Sequence, residues 1–216
     1  MSPSTPVICD ATGVDGIVRE IRAAGRFALD FEFLWQRTYR PIPCLAQIAV
    51  DERVWIVDPI AGAPLDAIAE LVADPAVTTI MHAPSADLML LAMHFGTQPS
   101  AVVDVQLIAG FVGLGAGQSL GTLLERALRI KLAKTESFSD WSKRPLTDGQ
   151  LTYAAEDVLY LFRLHDTLME RSAKVGRDDW VTEEHLRRYG PDSTVLGDPA
   201  DAWRKVKGQG KLSGRE

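Results

Sequence analysis

Residues 27–33 read FALDFEF, and the conformation of this stretch decides the fold. An extended chain sends alternate side chains to opposite sides. As a strand, the stretch puts Phe27, Leu29, Phe31 and Phe33 on one apolar face and Ala28, Asp30 and Glu32 on the other. Strands disfavour Asp, and two carboxylates on one face repel. An acid pair backed by an apolar face calls for something positive in front of it.

The flanking sequence continues the sheet. TGVDGIVREIRAA (12–24) has helical periodicity, a cap near Thr12 and a stop at Gly25. Strand patterns follow at 26–33, 44–50 and 53–58, with Asp51-Glu52 as a tight hairpin between the last two. The pattern then alternates: a helix near 64–73, a strand at 77–82, a helix near 85–95 and a strand at 101–105. Up to about 173 the chain reads as mostly helical, interrupted by a polar loop at 133–146. Thr147-Asp-Gly-Gln150 has the form of a capping box and opens one long helix through LTYAAEDVLYLFRLHDTLM. Antiparallel strands followed by βα units predict an α/β fold with a mixed central sheet flanked by helices. The domain is expected to span 1–175. Residues 176–216 are polar and weakly periodic and read as a linker or tail.

Composition bounds the function. The chain has 216 residues, 46% hydrophobic and 24% charged, which suits one globular domain. A net charge of −6 argues against wrapping duplex DNA by bulk electrostatics, so any nucleic-acid contact should be local. Cys9 and Cys44 form no spaced cluster and fit free thiols in a reducing compartment. No signal-peptide pattern and no apolar run of membrane-spanning length is present, so the expectation is a cytoplasmic protein that avoids membranes. The oligomeric state is not legible.

Further acids interrupt otherwise apolar elements. Asp87 stands at the start of a helix in HAPSADLMLL, and Asp157 stands deep within YAAEDVLYL. Tyr153 precedes Asp157 by four residues, which puts phenol and carboxylate on one helix face. Taken singly, each has an ordinary explanation: a solvated sheet face, a favourable helix-dipole contact, a half-buried aromatic, an ion pair. Together they resemble a binding site for hard divalent cations such as Mg2+ and Mn2+, which take oxygen ligands. Two such ions about 4 Å apart can clamp an in-line phosphoryl displacement. They would also cancel the repulsion within FALDFEF.

The segments DFEF…RTYRPIPCLAQIA, MHAPSADLMLL and SDWSKRPLTDGQLTYAAEDVLYLFRL closely resemble the ribonuclease D family of DEDD 3′→5′ exonucleases, in the subgroup with tyrosine in the third motif. The resemblance spans roughly 20–170, and the third motif is its most specific part. It implies a ribonuclease H-like three-layer fold and two divalent ions, Mg2+ or Mn2+. It assigns Asp30 and Glu32 to the first motif, Asp87 to the second and Asp157 to the third, with Tyr153 orienting the nucleophilic water. The implied reaction hydrolyses single-stranded RNA 3′ ends to nucleoside 5′-monophosphates, with transfer RNA precursors as the family's usual substrate. Matched DNA strands are the alternative substrate, and an inactive nucleic-acid-binding module is the alternative role. The family usually carries a second aromatic where Arg40 stands and Leu where Pro43 stands. It also continues into helical C-terminal domains, and DAWRKVKGQGKLSGRE resembles the linker leading to them.

Several other residues are candidates for substrate contact. Phe33 and Trp35 follow the first acids and could stack on terminal bases, with core packing the stronger alternative for Phe33. Lys131, Lys134, Lys143 and Arg144 flank the polar loop, where they would meet backbone phosphates. Trp141 and His82 read as structural. Asp104, in VVDVQ, also matches the family but has no role legible from sequence.

Overall fold

The computed structural model describes residues 6–9, 13–35, 38–132 and 139–193. Its elements run β1 (Val7–Cys9), α1 (Val14–Ala24), β2 (Arg26–Leu34), β3 (Ile42–Val50), β4 (Arg53–Val57), α2 (Asp66–Ala73), β5 (Thr78–Met81), α3 (Ser85–Phe95) and β6 (Val102–Asp104). The helices α4 (Val105–Phe111), α5 (Leu120–Leu128), α6 (Asp148–Leu159), α7 (Leu161–Val175) and α8 (Asp178–Tyr189) complete the body.

The strands form a six-stranded sheet in the order β1-β4-β3-β2-β5-β6. β2, β3 and β4 are antiparallel neighbours, whereas β1 joins β4, β5 joins β2 and β6 joins β5 in parallel. The sheet is therefore mixed and helices cover both faces, the three-layer α/β architecture expected. The hairpin also forms as expected: Val50 pairs with Arg53, and Asp51 takes a left-handed φ of 52°.

FALDFEF divides as its alternation requires. Phe27, Leu29 and Phe31 are buried with Ile17, Ile21, Ile68, Leu71 and Leu88 from α1, α2 and α3. Burying a side chain of that size contributes about 1.5–3 kcal/mol, which anchors the strand by its apolar face. On the opposite side, Ala28 and Ala49 pack with Val105, Leu124, Val158 and Leu161. Asp30 and Glu32 share this second face, which is the side covered by α6.

Three elements differ from expectation. β1 was not anticipated, since three residues at a sheet edge carry too little pattern. The long helix after Thr147 is two helices, because the chain breaks at Tyr160 (φ −101°, ψ 0°). The break lets α6 lie on β2, β3 and β4 while α7 turns onto α4, α5 and β5, which one straight rod could not do. The domain boundary expected near 175 falls inside the packed body. α8 buries Val181, His185 and Tyr189, a stripe at i, i+4 and i+8 against β6, α4 and α7. Two of those three residues are polar, so the stripe is faint as a hydrophobic period.

Candidate active site

The site forms where β2 outruns its neighbour. β5 pairs with β2 only through Arg26, Phe27 and Ala28, leaving the next residues without a strand on that side. α3 starts there instead, and Asp87 in its first turn lies near the Phe31 backbone N–H. On the other flank β2 stays paired with β3 as far as Leu34, through a bulge between Glu32 and Phe33. Bulges re-aim side chains and accommodate proline, and Pro43 sits opposite this one.

Carboxylate oxygens of Asp30, Glu32 and Asp157 all lie within 4.8 Å of one another. Asp157 reaches them from α6, and Tyr153, one turn earlier, hydrogen-bonds its carboxylate. Tyr153 is itself wedged against Trp141, with ring centroids 5.9 Å apart. Asp87 is 7% exposed and close enough to Asp30 and Glu32 for their charges to act on it. The structure thus gathers all five residues from β2, α3 and α6.

This cluster is electrostatically unfavourable without a cation. Burial pushes Asp30 up to about 7, opposed by the Phe31 N–H. Burial, then the charge of Asp30, pushes Glu32 up to about 8. Burial, then Asp30 and Glu32, pushes Asp157 up to about 9, with the Tyr153 hydroxyl acting the other way. Asp87 is raised well above its ordinary range by burial and then by Asp30. A donor set made only of carboxylate oxygens, crowded and short of positive charge, fits Mg2+ or Mn2+.

The substrate-contact candidates divide. Trp35 is 38% exposed and meets Phe33 edge-on at 6.3 Å, while Phe33 is half-buried against the core. Lys143 is exposed and pairs with Asp140 at 3.6 Å, and Lys131 pairs with Glu125 at 3.5 Å. Lys134 lies outside the described residues. Arg144 is a correction. Its Nε and one Nη donate to the two oxygens of Asp58, both at 2.6 Å, and the remaining donors go to the carbonyls of Cys44, Trp141 and Lys143. All five guanidinium N–H groups are then used, leaving none for a phosphate. Asp58 in turn accepts the N–H groups of Ile60 and Ala61, tying the loop before α6 to the end of β4.

Two residues gain a physical role that sequence did not disclose. Gln47 on β3 stands opposite Asp30 and is fully buried, and among the described residues neither its Nε2 nor its Oε1 finds a hydrogen-bond partner. A lone Gln in the apolar run CLAQIAV, facing the acid pair, was the available signal. Asp104 caps α4 through the Gln106 N–H and also accepts the Ala83 N–H just ahead of α3. His82 bonds the Gln118 carbonyl at 2.9 Å, a structural contact.

With this geometry in view, the similarities to known proteins are specific. The 3′-5′ exonuclease family model matches residues 7–172. Ribonuclease D of Gluconacetobacter diazotrophicus is 34% identical over 206 residues, covering 95% of this chain and 52% of that protein. The crystal structure of Escherichia coli RNase D, an exoribonuclease involved in structured RNA processing, superposes with a TM-score of 0.83 at 30% identity, over 97% of this chain and 56% of that one. Brucella melitensis NrnC with bound Mg2+ superposes at 0.67 and 26% identity, over 84% and 88% of the two chains. The chain spans about half the length of the curated relatives it matches. Among its described residues no helix is long and apolar enough to cross a membrane. A match across most of the sequence, on a sheet that brings the first, second and third motif acids together, leaves one conclusion: the chain belongs to the 3′-5′ exonuclease family.

Proposed function

We propose that the chain is a divalent-metal-dependent exoribonuclease that removes nucleotides from single-stranded RNA 3′ ends as nucleoside 5′-monophosphates. The observation that carries this reading is the convergence of Asp30, Glu32 and Asp157 within 4.8 Å, with Tyr153 hydrogen-bonded to Asp157. Asp30, Glu32 and Asp157 would hold one ion, and Asp30 with Asp87 would hold the other. Bound there, Mg2+ or Mn2+ would lower the pKa of water and offset charge on the leaving oxygen. Tyr153 orients the water whose oxygen attacks the terminal phosphodiester. The P–O3′ bond breaks, the shortened chain leaves with its 3′ oxygen, and that oxygen takes up a proton. Trp35, beside Phe33, offers a face for the terminal base, and Lys143 a charge for the backbone. Transfer RNA precursors are the proposed substrates, in the cytoplasm.

The names of the relatives, ribonuclease D in particular, favour RNA over DNA. Digesting 5′-labelled RNA and DNA of one sequence side by side tests that preference. The reading expects RNA to be shortened faster, and equal or faster loss of DNA would replace it with an exodeoxyribonuclease.

A further inference from the structure

The turn from β5 into α3 passes through Ala83 with φ 52°, a left-handed conformation that L residues adopt rarely. It must therefore be held from outside. The helix begins two residues later at Ser85, with no side-chain cap from Pro84, and Asp87 lies in its first turn. The direction of the Asp87 carboxylate thus depends on what holds Ala83.

That holder is Asp104, which is 2% exposed. Its Oδ1 accepts the N–H of Ala83 at 2.9 Å and of Gln106 at 2.8 Å. Its Oδ2 accepts the Tyr189 hydroxyl at 2.9 Å. The Asp104 N–H donates to His185 Nε2 at 2.8 Å, and His185 Nδ1 contacts the Val181 carbonyl at 2.7 Å. Those two contacts suit a neutral imidazole with its proton on Nδ1. The Tyr189 hydroxyl oxygen in turn accepts from the Ser85 hydroxyl at the start of α3. Asp104 is thereby gripped by α8 on one side and grips the α3 turn on the other.

We propose that Asp104, locked by Tyr189 and His185 of α8, is a positioning residue that sets the Asp87 carboxylate for the second metal ion. The assignment rests on the reading above that Asp87 holds an ion. It makes α8, which lies beyond the residues of the family match, part of the site's support. Outer partners of metal ligands that are removed lower metal affinity by about 10–100-fold.

The test titrates Mn2+ calorimetrically into the full chain with adenosine 5′-monophosphate present, and reads kcat and KM on labelled RNA. Wild type should bind two ions, and Asp87→Ala should lose one. Asp104→Ala should weaken that same ion about tenfold or more and leave the other unchanged. Asp104→Asn, which keeps an acceptor for the Ala83 N–H, should recover most of the loss. Tyr189→Phe, nearly isosteric, should weaken the same ion less and lower kcat with little change in KM. Wild-type affinity for both ions in Asp104→Ala and Tyr189→Phe would overturn the proposal. So would equal weakening of both ions in Asp104→Ala without recovery in Asp104→Asn. A wild type that binds fewer than two ions would overturn the metal role of Asp87 itself, and the clamp with it.

Discussion

Asp30 and Gln47 stand directly opposite each other across the β2–β3 ladder, and the buried amide of Gln47 has no hydrogen-bond partner among the described residues. Orphaned polar groups cost about 1–3 kcal/mol each, so the residue weakens the fold it belongs to. Gln47→Leu, similar in volume and apolar, should raise the melting temperature of the metal-free protein by a few degrees. It should also lower turnover, because the amide faces Asp30, the carboxylate proposed to serve both ions. Thermal melts and steady-state kinetics on one preparation check this. A lower melting temperature with unchanged turnover would show that Gln47 serves packing alone.

Arg144 gives the opposite pattern. With both oxygens of Asp58 and three carbonyls on its guanidinium, it joins the loop before α6 to β3 and β4. Arg144→Lys loses the planar fork and leaves Asp58, 4% exposed, poorly paired. The expected loss is about 2–3 kcal/mol, reduced from that of a fully buried pair because Arg144 is partly exposed. That is a fall of roughly 4–12 °C for a chain of this size. The salt dependence of RNA binding should not move. An unchanged melting temperature with a raised KM would return Arg144 to the phosphate-binding surface.

The buried carboxylates make stability depend on pH. Asp30, Glu32 and Asp157 are raised to about 7, 8 and 9, chiefly by burial. The folded state therefore holds protons that the unfolded chain releases near pH 4. That contribution to stability is complete below pH 4 and is lost as pH rises through 7 to 9. The metal-free protein should melt lower at pH 9 than at pH 6. Mn2+ at a hundred times its Kd adds about 2.7 kcal/mol, and at one fixed Mn2+ concentration the rescue should be larger at pH 9 than at pH 6, where protons compete more strongly for the carboxylates. Differential scanning calorimetry with EDTA or Mn2+ at the two pH values reads both effects. A metal-free melting temperature that rises from pH 6 to 9 would contradict this electrostatic account.

Tyr153 is expected to act on the reaction rather than on affinity. Tyr153→Phe keeps the ring against Trp141 but removes the hydroxyl bonded to Asp157. A lost positioning group of this kind costs about 10²-fold in kcat, with KM and Mn2+ affinity near wild type. Single-turnover kinetics distinguish this from slowed product release. A raised KM with unchanged kcat would make Tyr153 a binding residue instead.

What could be read from sequence follows from where each interaction is encoded. β2 was legible because its alternation puts Phe27, Leu29 and Phe31 against α1, α2 and α3 while its two acids interrupt the other face. α6 was legible through the capping box at Thr147 and Gln150, which the structure forms. The break at Tyr160 was not, because Leu159 and Leu161 continue the helical apolar period through it. Arg144 with Asp58, and Tyr189 with Asp104, are pairs more than 80 residues apart. Nothing local marks such partners, so Arg144 looked free and α8 looked like tail. Gln47 lacked a reading because its meaning depends on the β2–β3 register, which one strand alone does not reveal.

An acid cluster that hydrolyses RNA from its 3′ end in this way needs bound metal to do so. The most direct measurement follows a 5′-labelled single-stranded RNA with Mn2+, Mg2+ or EDTA, beside the Asp157→Ala and Tyr153→Phe proteins. The account predicts a ladder shortening from the 3′ end with either metal, absent in EDTA, weakened in Tyr153→Phe and lost in a folded Asp157→Ala protein. Shortening that persists in EDTA or in Asp157→Ala, or no shortening by folded wild type with either metal, would contradict it.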